Sequence, residues 1–260
     1  MTRRRHGRGK LRTRYYAGAG MAEPRKPVFE LAEEEAPQAP EPVATPAATP
    51  PSAAPPSEDL LLRAALEATQ RGDDDRAAGI YHELLMVNAR HLTARVRLAA
   101  LVERRGDPDT ALAELDWVLE RQPDHGEALL RRGAVLGTLG QFTRAERDLA
   151  HAVHLDPANP EAHFALGMVL SRAGLWRQAI PHLRRVVEMD PSSALAYDHL
   201  GEALNKVDDL DGALQAFQRS TELRPNNPKA LRGLGIVYDR LNRPAEAAQM
   251  YRRSRELAGA

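Results

Sequence analysis

The sequence predicts an all-α protein, an array of six stacked helix pairs behind a tail without regular structure. Three observations carry this. From residue 58 onward apolar residues recur at helical spacing, broken by Gly, Asp or Pro roughly every 14 to 20 residues. The same stretch aligns with itself at a shift of 34 residues, without a gap, to the end of the chain. Residues 1–57 show neither signal and hold more than half of the 19 prolines.

The tail comes first. Arg3, Arg4, Arg5, Arg8, Lys10, Arg12 and Arg14 make its head basic, with no acidic residue among the first fourteen. A short acidic patch follows at Glu33, Glu34 and Glu35, and then APQAPEPVATPAATPPSAAPPS. A Pro/Ala tract of this kind buries no core and is expected to be extended and disordered. The basic head reads as a solvated tail, with translation from Met21 as an alternative start. Its functional reading is a tether to nucleic acid or another anionic surface. The segment FELAEEEAP (29–37) is also a candidate to fold back onto the array.

The helical part divides into units 58–91, 92–125, 126–159, 160–193, 194–227 and 228–260, the last one residue short. Each column of the alignment has a physical reason. The eighth position (Ala65, Ala99, Gly133, Gly167, Gly201, Gly235) holds only small residues, as close helix crossing requires. The twentieth is Ala throughout: Ala77, Ala111, Ala145, Ala179, Ala213 and Ala247. The twenty-fourth (Tyr81, Leu115, Leu149, Leu183, Phe217, Tyr251) is large and fills the space beside it. Gly72, Gly106, Gly140 and Gly174 suit the left-handed backbone that ends a first helix. Pro108 and Pro244 fall where second helices begin and a missing N–H costs nothing. At the thirty-second position Pro123, Pro157, Pro191 and Pro225 stop the second helix. The first unit has Ala89 there, which leaves Asn88 as its local stop signal. The twenty-eighth position runs Leu85, Leu119, Val153, Val187, Thr221, Arg255, an apolar-to-charged change read as a cap on the last unit.

These residues resemble the tetratricopeptide repeat family. The 34-residue period, the small/small/large/Pro columns and the pairs Leu166-Gly167, Leu200-Gly201 and Leu234-Gly235 carry the resemblance over 58–260. It implies an α-solenoid of helix-turn-helix repeats wound into a right-handed superhelix. It also implies a concave groove, lined by the first helix of each pair, that takes an extended peptide or a helix of a partner protein.

By the same resemblance, the fifth, sixth and ninth positions face the groove. The fifth and ninth give Leu62/Leu66, Val96/Ala100, Leu130/Ala134 and Phe164/Met168, then Asp198/Glu202 and Arg232/Ile236. The groove is therefore expected to be apolar over four units and charged over the last two. The sixth position carries Arg63, Arg97 and Arg131, a ladder suited to carboxylates or backbone carbonyls of an extended, acidic segment. The alternative readings are packing between repeats for the apolar residues and a salt-bridged face for the arginines. The Lys/Asn pair of the family's clamp for chaperone tails is absent from every unit.

The remaining composition narrows the function. Formal net charge is zero, and the repeats hold 27 basic against 30 acidic residues, so nucleic-acid binding would depend on the tail. Arg far outnumbers Lys (Lys10, Lys26, Lys206, Lys229), which reads with the many Ala and Pro as a GC-rich bacterial genome. There are no cysteines, hence no disulfide, thiol nucleophile or cysteine-held metal. No secretory h-region or 18-residue apolar run is present, so a cytoplasmic protein without a membrane span is expected. His151 and His154, with Asp148 one turn earlier, are the one metal-like grouping, but they are expected on the outer surface as a solvated face. Trp117 and Trp176 read as packing residues. No HExxH, GxSxG or phosphate-binding loop occurs. The expectation is a non-catalytic scaffold without cofactor, metal or small-molecule substrate.

Overall fold

The computed structural model describes residues 57–259. The expectations for the tail, including its disorder, its tethering role, the Met21 start and the fold-back of residues 29–37, lie outside the described residues. Among those described there are twelve α-helices: α1 (Glu58–Gln70), α2 (Asp74–Val87), α3 (Leu92–Arg104), α4 (Pro108–Arg121), α5 (Gly126–Thr138), α6 (Phe142–Leu155), α7 (Pro160–Arg172), α8 (Trp176–Met189), α9 (Ala194–Lys206), α10 (Leu210–Leu223), α11 (Pro228–Arg240) and α12 (Pro244–Ala258). They pair in sequence into six hairpins, and the second helix of each of the first five hairpins also packs on the first helix of the next. The architecture is the expected all-α array of helix pairs.

Local chemistry sets the helix ends. Asp73, Asp107, Asn159, Asp209 and Asn227 accept backbone N–H groups of the helices they precede, satisfying donors that the helix itself cannot. His91 and His125 do the same through Nδ1, each at 3.2 Å, a use of histidine that residue type alone does not announce. The hairpin turns place Gly72, Gly106, Gly140 and Gly174 at φ of +75° to +84°. In the last two hairpins Asp208 (φ 70°) and Asn242 (φ 57°) take that role, the two L-residue types that tolerate it best.

The second helices α4, α6, α8 and α10 end on a residue at φ of −128° to −137° and ψ of 84° to 88°, where the proline that follows disfavours helical backbone. Asn88 ends α2 in the same conformation without a proline. Its side chain donates to Glu58 Oε2 at 2.8 Å and accepts from Arg90 N at 3.0 Å, which fixes the joint from both sides. Pro181 sits inside α8, and the helix runs through it.

The core is thin and Ala-rich, with all six alanines of the twentieth position fully buried or nearly so. The eighth position works as a close-approach column. A Cβ on Gly133 would lie 2.5 Å from Leu149 Cγ, one on Gly167 2.8 Å from Leu183 Cγ, and one on Gly235 2.5 Å from the Tyr251 ring. The large twenty-fourth residue therefore occupies the volume a side chain would need. Phe217 reaches further: its ring lies under both Gly201 and Gly233, the latter in the next hairpin. The third position is a second packing column. Ala94, Ala128, Ala162, Ala196 and Ala230 are buried, whereas Leu60 is exposed in α1, which no described helix precedes.

Candidate functional site

The first helices α5, α7, α9 and α11 lie side by side, each touching the next. Their shared face carries two depressions. The first, about 360 Å³, lies between α5 and α7, with Leu130, Ala134, Phe164 and Met168 as apolar walls and Arg131, Glu161 and Arg172 at its edge. The second, about 330 Å³, lies between α9 and α11. Phe217, Gly233 and Ile236 line it, together with Glu202, Lys206, Lys229 and Arg232. Both linings mix apolar and charged side chains, with Glu103, Arg131, Glu161 and Arg172 bordering the first depression as Glu202, Lys206, Lys229 and Arg232 border the second, so the apolar-then-charged division expected along the groove does not separate them.

The predicted residues distribute unevenly. Leu130, Arg131, Phe164 and Met168 come together in the first depression, and Glu202 and Arg232 in the second. Val96 and Ala100 are buried instead of lining a trough, so the second unit's share of the expected apolar groove is packing, while Leu62 and Leu66 in the first unit are half-buried. Asp198 is corrected as well: it is only 1% exposed, and its Oδ2 accepts from Asn227 Nδ2. It ties α9 to the cap of α11 rather than presenting charge on the face.

The arginine ladder is also changed by its neighbours. Glu127 on α5 lies 3.3 Å from Arg97 and accepts from Arg131 through both Nε (3.2 Å) and a terminal nitrogen (3.1 Å). One carboxylate thus holds two rungs. Burial pushes the Glu103 carboxyl up, against the pull of Arg131 and Arg104. Arg104 itself forks onto Asp74 of the preceding unit at 2.7 and 3.1 Å. Arg63 is exposed and has no ion pair among the described residues.

Other polar clusters have structural partners. Arg132 on α5 grips Asp148 with two parallel bonds of 2.7 and 2.8 Å and reaches Asp116 at 2.7 Å, joining α4, α5 and α6. Asp148 is 6% exposed and committed to this fork, while His151 pairs with Asp124 at 3.0 Å. Two of the three residues weighed as a metal grouping are therefore committed to other partners, and His154 is exposed. Among the described residues no group of three or more His, Asp or Glu is placed to hold a metal. Trp117 lies under the guanidinium groups of Arg95 and Arg121, 3.9 and 3.6 Å from its ring centre. His163 and His182 bring their Nδ1 atoms within 3.1 Å, and His163 Nε2 lies 3.2 Å from the Pro157 carbonyl. Burial, with His163 alongside, holds the His182 ring below the usual histidine range. The edge-on contact of Phe164 with His199, 5.7 Å between ring centres, links the first depression to α9. Sequence columns located Phe164 but could not show this contact.

Family models described as tetratricopeptide repeat match residues 97–137, 135–194 and 192–260. The chain belongs to the tetratricopeptide repeat family. Residues 58–96 lie outside those matches yet contain a helix pair of the same kind, α1 and α2. Among solved structures, this tetratricopeptide repeat protein is similar to MamA (residues 41 to the end) from Desulfovibrio magneticus RS-1. Identity is 28% over 64% of this chain and 94% of that one, with a TM-score of 0.61. A further MamA crystal structure shows 25% identity, 62% and 95% coverage, and a TM-score of 0.59. YrrB, described as a TPR protein with an unusual peptide-binding site, shares the fold at 23% identity, with 68% and 91% coverage and a TM-score of 0.61. No curated protein matches the chain in sequence. Among the described residues no helix is long and apolar enough to cross a membrane.

Proposed function

We propose that this repeat protein is a non-catalytic scaffold or adaptor that holds a segment of a partner protein in the groove lined by its first helices. The observation that carries the reading is the depression between α5 and α7, where the half-buried Phe164 and Met168 leave apolar surface open to solvent against the buried Leu130. Apolar pockets of this size on a rigid helical scaffold suit one large side chain of an extended or helical ligand. Tetratricopeptide repeat membership supports the same class of function. Of the ladder, Arg63, exposed and without an ion pair among the described residues, would supply donors for a ligand's backbone carbonyls.

Affinity capture with the wild-type chain beside a Phe164→Ala/Met168→Glu variant tests the reading. Partners held by the wild type and lost from the variant, at unchanged thermal stability, are the expected result. An identical set of captured proteins from both would overturn it.

A further inference from the structure

Resting on the groove reading above, we infer that the ligand is an extended peptide with two recognition points: one large apolar side chain and, about five or six residues away, one or two carboxylates. The apolar point is the depression between α5 and α7. The acidic point is the depression between α9 and α11, not the arginine ladder.

The charge accounting decides between those two basic regions. On the ladder, Glu127 lies against both Arg97 and Arg131, and Glu103 is nearby, so two cations face two carboxylates. An incoming acidic group at Arg97 or Arg131 would have to displace an existing partner, and the remaining rung, Arg63 on α1, lies outside the lining of the apolar depression. Between α9 and α11, Lys206, Lys229 and Arg232 surround the single carboxylate of Glu202. Glu202 takes Lys229 at 3.4 Å, with His199 at 3.8 Å. Lys206 and Arg232 are exposed and have no ion pair among the described residues. Two cations are therefore left over beside an apolar floor, a setting that favours carboxylates and repels cationic segments.

The spacing follows from helix packing. The depressions are two helix intervals apart, through the contacts α5 on α7, α7 on α9 and α9 on α11. Packed axes lie roughly 8–10 Å apart, so the centres are separated by roughly 16–20 Å. An extended chain advances about 3.3 Å per residue, so about five or six residues span the gap. A short ligand with both features adjacent cannot fill both points at once.

The experiment uses fluorescein-labelled 14-residue peptides in a Gly/Ser/Thr background. Each carries one Phe and two adjacent Glu, separated by two, six or ten residues and in both chain orders, and is titrated with the full chain by fluorescence anisotropy. A six-residue spacing is expected to bind at least ten-fold more tightly than spacings of two or ten, in one chain order. Replacing both Glu by Lys, or raising salt, should remove most of that advantage. Lys206→Glu/Arg232→Glu, two exposed positions that leave the core untouched, should cost about ten-fold on the six-residue peptide. The same variant should leave a Phe-only peptide unchanged. Peptides that bind through Phe164 and Met168 irrespective of spacing, or that ignore Lys206→Glu/Arg232→Glu, would overturn the two-point inference while leaving the groove reading intact. Binding unaffected by Phe164→Ala/Met168→Glu, or no binding by any peptide, would overturn both.

Discussion

Replacing Gly133 with Ala tests the packing logic of the array directly. The new Cβ would lie 2.5 Å from Leu149 Cγ, 2.9 Å from Leu149 Cδ2 and 3.2 Å from the Ala145 carbonyl oxygen. Comfortable carbon contacts are about 3.5–4.0 Å, so the shortfall is about an ångström or more. Leu149 is fully buried and the Ala145 oxygen belongs to the α6 backbone, so neither yields cheaply. Overpacking of this kind costs about 1–3 kcal/mol. Ala in place of Gly in a helix interior returns about 0.8–1 kcal/mol. The net expectation is a loss of up to about 2 kcal/mol.

Gly79, inside α2, is the internal control: a Cβ there meets nothing within 4 Å. Gly79→Ala should therefore raise stability by about 0.5–1 kcal/mol. Urea unfolding followed by far-UV circular dichroism reads both, as midpoint shifts of opposite sign. Leu149→Ala alone should cost about 2–5 kcal/mol. In the Gly133→Ala background it should cost less, because the clash goes with the leucine, giving a coupling of about 0.5–3 kcal/mol. An upward midpoint shift for Gly133→Ala, matching that of Gly79→Ala, would refute the close-approach argument.

Two further outcomes follow from the buried polar groups. Arg132→Ala leaves Asp148 buried without its fork and should lower stability by about 2–4 kcal/mol in urea unfolding, while Arg132→Ala/Asp148→Leu recovers most of the loss because no charge is stranded. Burial holds His182 and His199 below the usual histidine range, with His163 adding to the effect at the first and Lys229 at the second. The unfolded chain therefore takes up protons first on acidification, and stability contributed by the neutral rings is lost as pH falls through about 6.5. Urea midpoints should fall between pH 7.5 and pH 6.0, and His182→Gln/His199→Gln should flatten that slope.

Much of the fold was legible because each unit repeats the same local chemistry. Gly72 to Gly174 announced the turns, Pro123 to Pro225 the helix ends, and the eighth position the close crossing. The exceptions have local physical causes. Asp208 and Asn242 adopt left-handed backbone without being glycine, and Asn88 ends its helix through side-chain bonds to Glu58 and Arg90. The candidate site was less legible. The fifth-position column put Val96, Leu130, Phe164 and Asp198 on one face, yet Val96 and Asp198 are buried while Phe164 keeps open surface.

By itself the sequence determined the period, the helix boundaries and the small-against-large columns, because these depend on a residue and its neighbours three, four or 34 positions away. Tertiary structure alone decided which charges remain available. Arg97 is taken by Glu127 from the next unit, Asp198 by Asn227, and Arg132 by carboxylates on two other helices. Lys206 and Arg232 have no such neighbour among the described residues. Pairing depends on which side chains converge across helix interfaces, and desolvation there favours a charge that has found its partner.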